Sequence, residues 1–177
     1  TSVTCVSLGR RSFELVATGG EDQRVNVWRL RSGDSSAANV VSLPGHSSPI
    51  SCVSFDENEA QVVSGSRGGV LRLYDLGEGR CARTIQAHRT LVKDLHPHPF
   101  GDFVATGGGD AHVKVWDVRR KACIQSHKVV GAGQINAVRF SPDGRWVASC
   151  DDATGFVRFW DLTAGKLLQE LPVSRES

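Results

Sequence analysis

Apolar residues come in short runs of about five along this chain, many alternating with polar ones, and each run is bounded by Gly, Asp, Asn or Pro. That is the period-two pattern of half-buried β-strands; the 3.6-residue period of an amphipathic helix is nowhere sustained over ten residues. The pattern predicts strands at 3–8, 13–18, 25–29 and 39–43, then at 50–55, 60–64, 70–74 and 81–86. It continues with 91–95, 102–106, 112–117 and 122–126, then 134–140, 145–149, 156–161 and 167–171. The expected fold class is all-β, in four groups of four strands, with no helix.

One five-residue phrase recurs in the third strand of each group: "VNVWR" at 25–29, "LRLYD" at 71–75, "VKVWD" at 113–117 and "VRFWD" at 157–161. Its aromatic falls at Trp28, Tyr74, Trp116 and Trp160, in steps of 46, 42 and 44 residues. Gly45-His46 and Ala87-His88 place a histidine 29 residues before Asp75 and Asp117. A period of about 40–45 residues ending in Trp-Asp marks a propeller blade of four antiparallel strands. These features resemble the WD40 family, and the resemblance covers essentially the whole chain. It divides the chain into blade one at 1–44, blade two at 45–86, blade three at 87–128, blade four at 129–171 and a tail at 172–177.

The resemblance implies a structural tetrad in each blade: a His, a strand Ser or Thr, a turn Asp and the Trp. Blade three holds all four, in His88, Thr106, Asp110 and Trp116. A buried indole N–H needs an acceptor, the Thr hydroxyl and His extend the chain of bonds, and the Asp ends it. Blade one has Thr18, Asp22 and Trp28 without a His, and blade two has His46 and Ser64 with Gly68 in the Asp position and Tyr74 for Trp. Blade four has Ser149, Asp152 and Trp160, but "VVGAGQ" at 129–134 lacks the Gly-His pair. Its turn "CDDATG" at 150–155 carries an extra residue and is expected to be the loosest.

Charge narrows the choice of partner. Lys plus Arg number 21 and Asp plus Glu 19, a net +2 that gives no basic footprint for nucleic acid. Neither an apolar run long enough to span a membrane nor a secretory leader is visible, so no membrane partner is expected. Methionine is absent even from position 1, which points to a processed chain or a piece of a longer one. Of five cysteines, Cys5 and Cys52 sit in matching phrases, as do Cys81 and Cys123, and there is no CxxC. They read as free, buried thiols in a reducing compartment.

Candidate chemistry dissolves into structure. "GGGD" at 107–110 resembles a phosphate loop, but GxGxxG would need Gly at 112, where His112 stands. It reads as a tight turn whose glycines permit positive φ. "AGKLL" at 164–168 lacks the upstream Gly and the Ser/Thr of a Walker loop. His88, Asp110 and Thr106 spell a hydrolase triad, but no GxSxG elbow or oxyanion cradle accompanies them, and the hydroxyl is committed to Trp116. "LHPHP" at 95–99 puts two His on one strand face without a third ligand, so a turn is expected rather than a metal site. No catalytic residue, cofactor or metal is expected, and the chain is read as a non-enzyme.

Longer phrases are more specific. "ATGGEDQRVNVW" at 17–28, "HPFGDFVATGGGDAHVKVWDVRRKACIQ" at 98–125 and "RFSPDGRWVAS…VRFWDLTAGKLLQEL" at 139–171 are similar to the WD40 domains of katanin regulatory subunits. The resemblance implies a non-catalytic scaffold and targeting module of a microtubule-severing complex. Its parent would meet microtubules, and a katanin AAA ATPase subunit through a helical domain that this chain lacks. It implies a cytoplasmic, cytoskeletal location at microtubules, centrosome or spindle pole. The alternative is a WD40 adaptor of another complex, such as a ubiquitin-ligase substrate receptor.

By position, the family's partner-facing rim falls at Glu21, Arg67, Gly109 and Asp151. The basic cluster Arg119, Arg120 and Lys121, in another turn, is a second candidate surface, suited to an acidic partner such as the glutamate-rich tails of tubulin. Four blades with the taper of a larger ring are expected to form an open arc, leaving Val16 and Val27 partly wet at one end and Val147 and Phe159 at the other.

Overall fold

The structure is a computed structural model that describes residues 2–30 and 37–173. Blade one comprises β1 (Val3–Leu8), β2 (Leu15–Gly20), β3 (Val25–Leu30) and β4 (Ala37–Leu43). Blade two comprises β5 (Ile50–Phe55), β6 (Gln61–Ser66), β7 (Val70–Asp75) and β8 (Arg80–Gln86). Blade three comprises β9 (Val92–Pro97), β10 (Phe103–Gly108), β11 (His112–Asp117) and β12 (Ala122–Lys128). Blade four comprises β13 (Ile135–Phe140), β14 (Trp146–Asp151), β15 (Phe156–Asp161) and β16 (Lys166–Pro172). Each blade is one antiparallel sheet with its strands in chain order, and the described residues contain no helix.

Register repeats with the sequence. Val16 faces Trp28, Val62 faces Tyr74, Val104 faces Trp116 and Val147 faces Trp160. At each of those aromatics the pairing of third and fourth strands shifts by a bulge, which adds local twist. The second strands start one or two residues later than the hydrophobic pattern placed them and run on through "GG", "GS", "GG" and "CD". Backbone ladder bonds, which the side-chain pattern does not report, carry the strand into these residues.

The first strands lie innermost: β1 packs on β5, β5 on β9 and β9 on β13. Three apolar cores fill the three seams. Ala17, Val25 and Val27 meet Ile50, Phe55 and Tyr74; Val63 and Leu73 meet Leu95 and Trp116; Ala105 and Val115 meet Ile135 and Trp160. The chain thus buries its apolar residues between blades. The four blades form an open arc, in which, among the described residues, blades one and four share no interface comparable to the three seams.

The free flank of blade one shows what a seam buries. Val53, Leu95 and Val138, at matching positions of blades two to four, are 8%, 3% and 0% exposed, whereas Val6 is 64% exposed. Burying such a side chain contributes about 1.5–3 kcal/mol. Of the residues expected to be wet, Val16 and Phe159 are partly exposed, but Val27 and Val147 are buried. The correction is one of strand parity. Val27 points toward blade two and Val147 toward blade three, so both sit inside existing seams.

The "GGGD" reading also changes. None of its glycines has positive φ; the left-handed residue of that turn is Ala111, at φ 59°. Gly107 and Gly108 belong to β10, and what they provide is room. A β-carbon on Gly107 would lie 2.6 Å from Ile135 Cγ2 of the next blade, and one on Gly108 would collide with the His88 ring. The cysteines are free, but only Cys52 is buried, and Cys123 is exposed because it lies on the outermost strand of its blade.

Candidate interaction surface and the blade networks

Blade three builds its network across strands. The Trp116 indole N–H donates to Thr106 Oγ1 at 3.0 Å, and Thr106 Oγ1 lies 2.8 Å from His88 Nε2. His88 Nδ1 lies 2.8 Å from Asp110 Oδ1, and the Arg89 amide donates to the other carboxylate oxygen at 3.2 Å. Because the Asp110 carboxylate only accepts, Nδ1–H of the neutral His88 donates to it, Nε2 accepts from the Thr106 hydroxyl, and that oxygen accepts from the indole N–H, which only donates. Burial lowers the pKa of His88 against the opposing pull of Asp110. Burial pushes the Asp110 carboxyl up, but the hydrogen bond and field of His88 outweigh it and leave the pKa below the usual range. The pair is therefore a neutral imidazole donating to a carboxylate. Thr106 is fully buried, and its hydroxyl is engaged by Trp116, by His88 and, at 3.5 Å, by the Lys114 carbonyl.

The other blades make parts of this set. Trp28 donates to Thr18 Oγ1 at 2.9 Å, while Asp22 receives the Arg24 amide. Trp160 donates to Ser149 Oγ at 2.8 Å, and Asp152 receives the Gly133 and Gln134 amides at 3.0 Å. In blade two, His46 Nε2 lies 2.7 Å from Ser64 Oγ, and the Tyr74 hydroxyl turns to the Pro44 carbonyl at 3.4 Å. Burial, with Arg72 adding, lowers the His46 pKa to about 4, and burial raises that of Tyr74 to about 12.

The rim candidates divide. Glu21 and Arg67 are half-exposed and face each other at 3.8 Å across the first seam. Gly109 is partly buried against Leu91. Asp151 presents no exposed side chain to this rim. Its carboxylate is fully buried, 2.5 Å from Arg158 Nη1, and receives the Ala153 and Thr154 amides. The extra residue of the 150–155 turn folds the chain over Asp151, so a turn expected to be loose is closed around a buried ion pair that Glu170 extends. On the opposite rim Arg119, Arg120 and Lys121 are exposed; Arg119 pairs with Asp102 at 2.6 Å and Arg120 lies 3.7 Å from Asp117.

The "LHPHP" histidines are seam ties. His96 Nδ1 accepts the Phe140 amide at 3.2 Å, from blade four. His98 Nδ1 accepts the Phe100 amide, and its Nε2 lies 3.1 Å from the Gly144 carbonyl, also in blade four. No cluster of three or more His, Cys, Asp or Glu suited to a metal occurs among the described residues. The sequence signal of this role was the spacing of two histidines on one strand face, but the groups they bind lie more than 40 residues away.

Comparison with known proteins agrees with this geometry. Residues 38–75, 79–117 and 121–161, more than half of the chain, match the family model described as "WD domain, G-beta repeat". The first match opens in β4 and closes at the end of β7, so sequence repeat and blade are offset by one strand. Pre-mRNA-processing factor 19 homolog 2 of Arabidopsis thaliana is 32% identical over 84% of this chain and 28% of its own length. Angio-associated migratory cell protein of Homo sapiens is 28% identical over 96% of the chain and 37% of its own length. The katanin p80 WD40 repeat-containing subunit B1 of Danio rerio is 44% identical over 41% of the chain and 10% of its own length. The chain therefore spans well under half the length of these relatives.

Proposed function

Since the chain belongs to the WD40 family of G-beta repeat proteins, we propose that it serves as the non-catalytic targeting module of a microtubule-severing katanin complex. At the coarser level it is a WD40 protein-interaction module, whose seam-packed blades hold turns and hairpins on two rims. The observation that carries the katanin reading is the 44% identity to a katanin WD40 subunit over 72 residues. Relatives similar over most of the chain are only 28–32% identical. Katanin-like phrases also extend across blades one, three and four.

On this reading the proposed partners are proteins: microtubules and, in the parent, the katanin AAA ATPase subunit. The location is the microtubule cytoskeleton. Two surfaces are proposed to meet partners: the Glu21–Arg67 rim, with Gly109 beside it, and the Arg119–Lys121 hairpin. The intact blade-three tetrad is proposed to hold the second of these in place.

Co-sedimentation of the chain with microtubules tests the reading. Pelleting that weakens on charge reversal at Arg67 or at Arg119–Lys121, with the fold retained, supports it. Absence of pelleting, together with capture of a ubiquitin-ligase scaffold, assigns the chain to another WD40 system.

A further inference from the structure

Blade two lacks a network carboxylate of its own. Gly68 stands where blade three has Asp110, while blades one and four keep Asp22 and Asp152. The rest of the network is assembled without it. His46 is only 6% exposed and its Nε2 is engaged by Ser64, yet its Nδ1 is buried without a hydrogen-bond partner. The corresponding atom of His88 is the one that meets Asp110. Arg72 repeats the pattern. Its guanidinium lies against the Gly45 backbone, its Nε is buried without a partner, and no carboxylate pairs with it among the described residues. A buried ring nitrogen without a partner, beside a cation without a counter-charge, is a costly arrangement that native proteins rarely leave unmet.

We propose that blade two seats a carboxylate from an acidic segment of a protein partner, in the place that Asp110 fills in blade three. The inference rests on the reading of the chain as a protein-interaction module. His46 Nδ1–H is the principal donor. The Ser47 amide, which follows His46 as the Arg89 amide follows His88, is the second. Gly45, Ser47 and Gly68 are exposed, so the seat opens on the rim. The side chain over it is Ser48, whose hydroxyl accepts the Gly68 amide at 2.9 Å and moves by rotation about one bond. Exposed Arg89, and Arg67 with Glu21 3.8 Å from it, stand in the neighbouring turns, and Arg89 favours an acidic segment. His46 is held neutral by burial and by Arg72, and the tautomer in which Nε2 accepts from the Ser64 hydroxyl leaves Nδ1–H to donate to a carboxylate.

The test is an NMR titration of the full chain with tetraglutamate, following the His46 ring resonances, with tetraglutamine and inorganic phosphate as parallel probes. A saturable shift of His46 with tetraglutamate alone is expected. It is expected to vanish in Gly68→Asp, whose own carboxylate fills the seat. An unmoved His46, an undiminished shift in folded Gly68→Asp, or an equal response to phosphate overturns the proposal. If Gly68→Asp does not fold, the titration of the parent chain decides. Microtubules take no part in this readout, so failure of the katanin reading and failure of this one are separate results.

Discussion

Ile135 of blade four packs into the space above Gly107 of blade three, where a β-carbon on the glycine would lie 2.6 Å from Ile135 Cγ2. The earlier seams repeat the relationship, with Ile50 over Gly19 at 2.5 Å and Val92 over Gly65 at 2.7 Å. A β-branched knob from one blade thus fits a glycine in the one before it, and the contact sets the distance between sheets. Gly107→Ala should therefore cost about 1–3 kcal/mol by overpacking, read as a lower urea midpoint. An unchanged midpoint would show that the seam is compliant.

Trp116→Ala should destabilise the chain by about 3–5 kcal/mol, since it removes a buried ring. Thr106→Val should cost about 1–3 kcal/mol by stranding the indole N–H and His88 Nε2. Equilibrium unfolding followed by tryptophan-independent far-UV dichroism compares the two. A cost under about 1 kcal/mol for Trp116→Ala would contradict its place in the seam core.

Acid should begin to weaken the fold through its buried histidines, at a pH above the ordinary carboxylate range. Burial lowers His46 and His96 to about 4, with Arg72 adding at the first and Arg139 at the second. In the unfolded chain both titrate near 6.5. Between those values the unfolded state binds more protons, so stability falls as pH drops from 6.5 toward 4. Midpoints measured across this window should slope less steeply in His96→Asn. Equal slopes would remove His96 as a cause.

Arg158→Met should cost about 3–5 kcal/mol, because it leaves the Asp151 carboxylate buried without its cation. The double replacement Asp151→Asn with Arg158→Met should cost less than the single one. A double-mutant cycle with no coupling would show that the pair does not organise the 150–155 turn.

Val6→Lys should change stability by less than about 0.5 kcal/mol, whereas Val138→Lys, at the matching position of blade four, should unfold the chain. The free apolar flanks should also drive self-association, visible as concentration-dependent sedimentation that Val6→Lys reduces. Equal damage from both substitutions would mean that the flank of blade one is covered in solution.

The sequence by itself determined what depends on neighbours along the chain. Strand alternation, turn residues and the recurring aromatic specified sixteen strands, four blades and the all-β class, because period and turn chemistry are local. The residues of the blade-three network came from the family resemblance that the repeated phrases carry. The tertiary structure decided whatever depends on the blade next door. Val27 and Val147 look alike from either side of a strand, and only the seam says which side is dry. Asp151 and Asp152 are adjacent acids, and only the fold of their turn buries one against Arg158 and leaves the other to cap Gly133 and Gln134. The glycines of "GGGD" look like turn residues, but the knobs that require them come from Ile135 and His88, about 20 or more residues away. Burial and close approach are properties of two chain segments together, and a linear pattern carries only one of them.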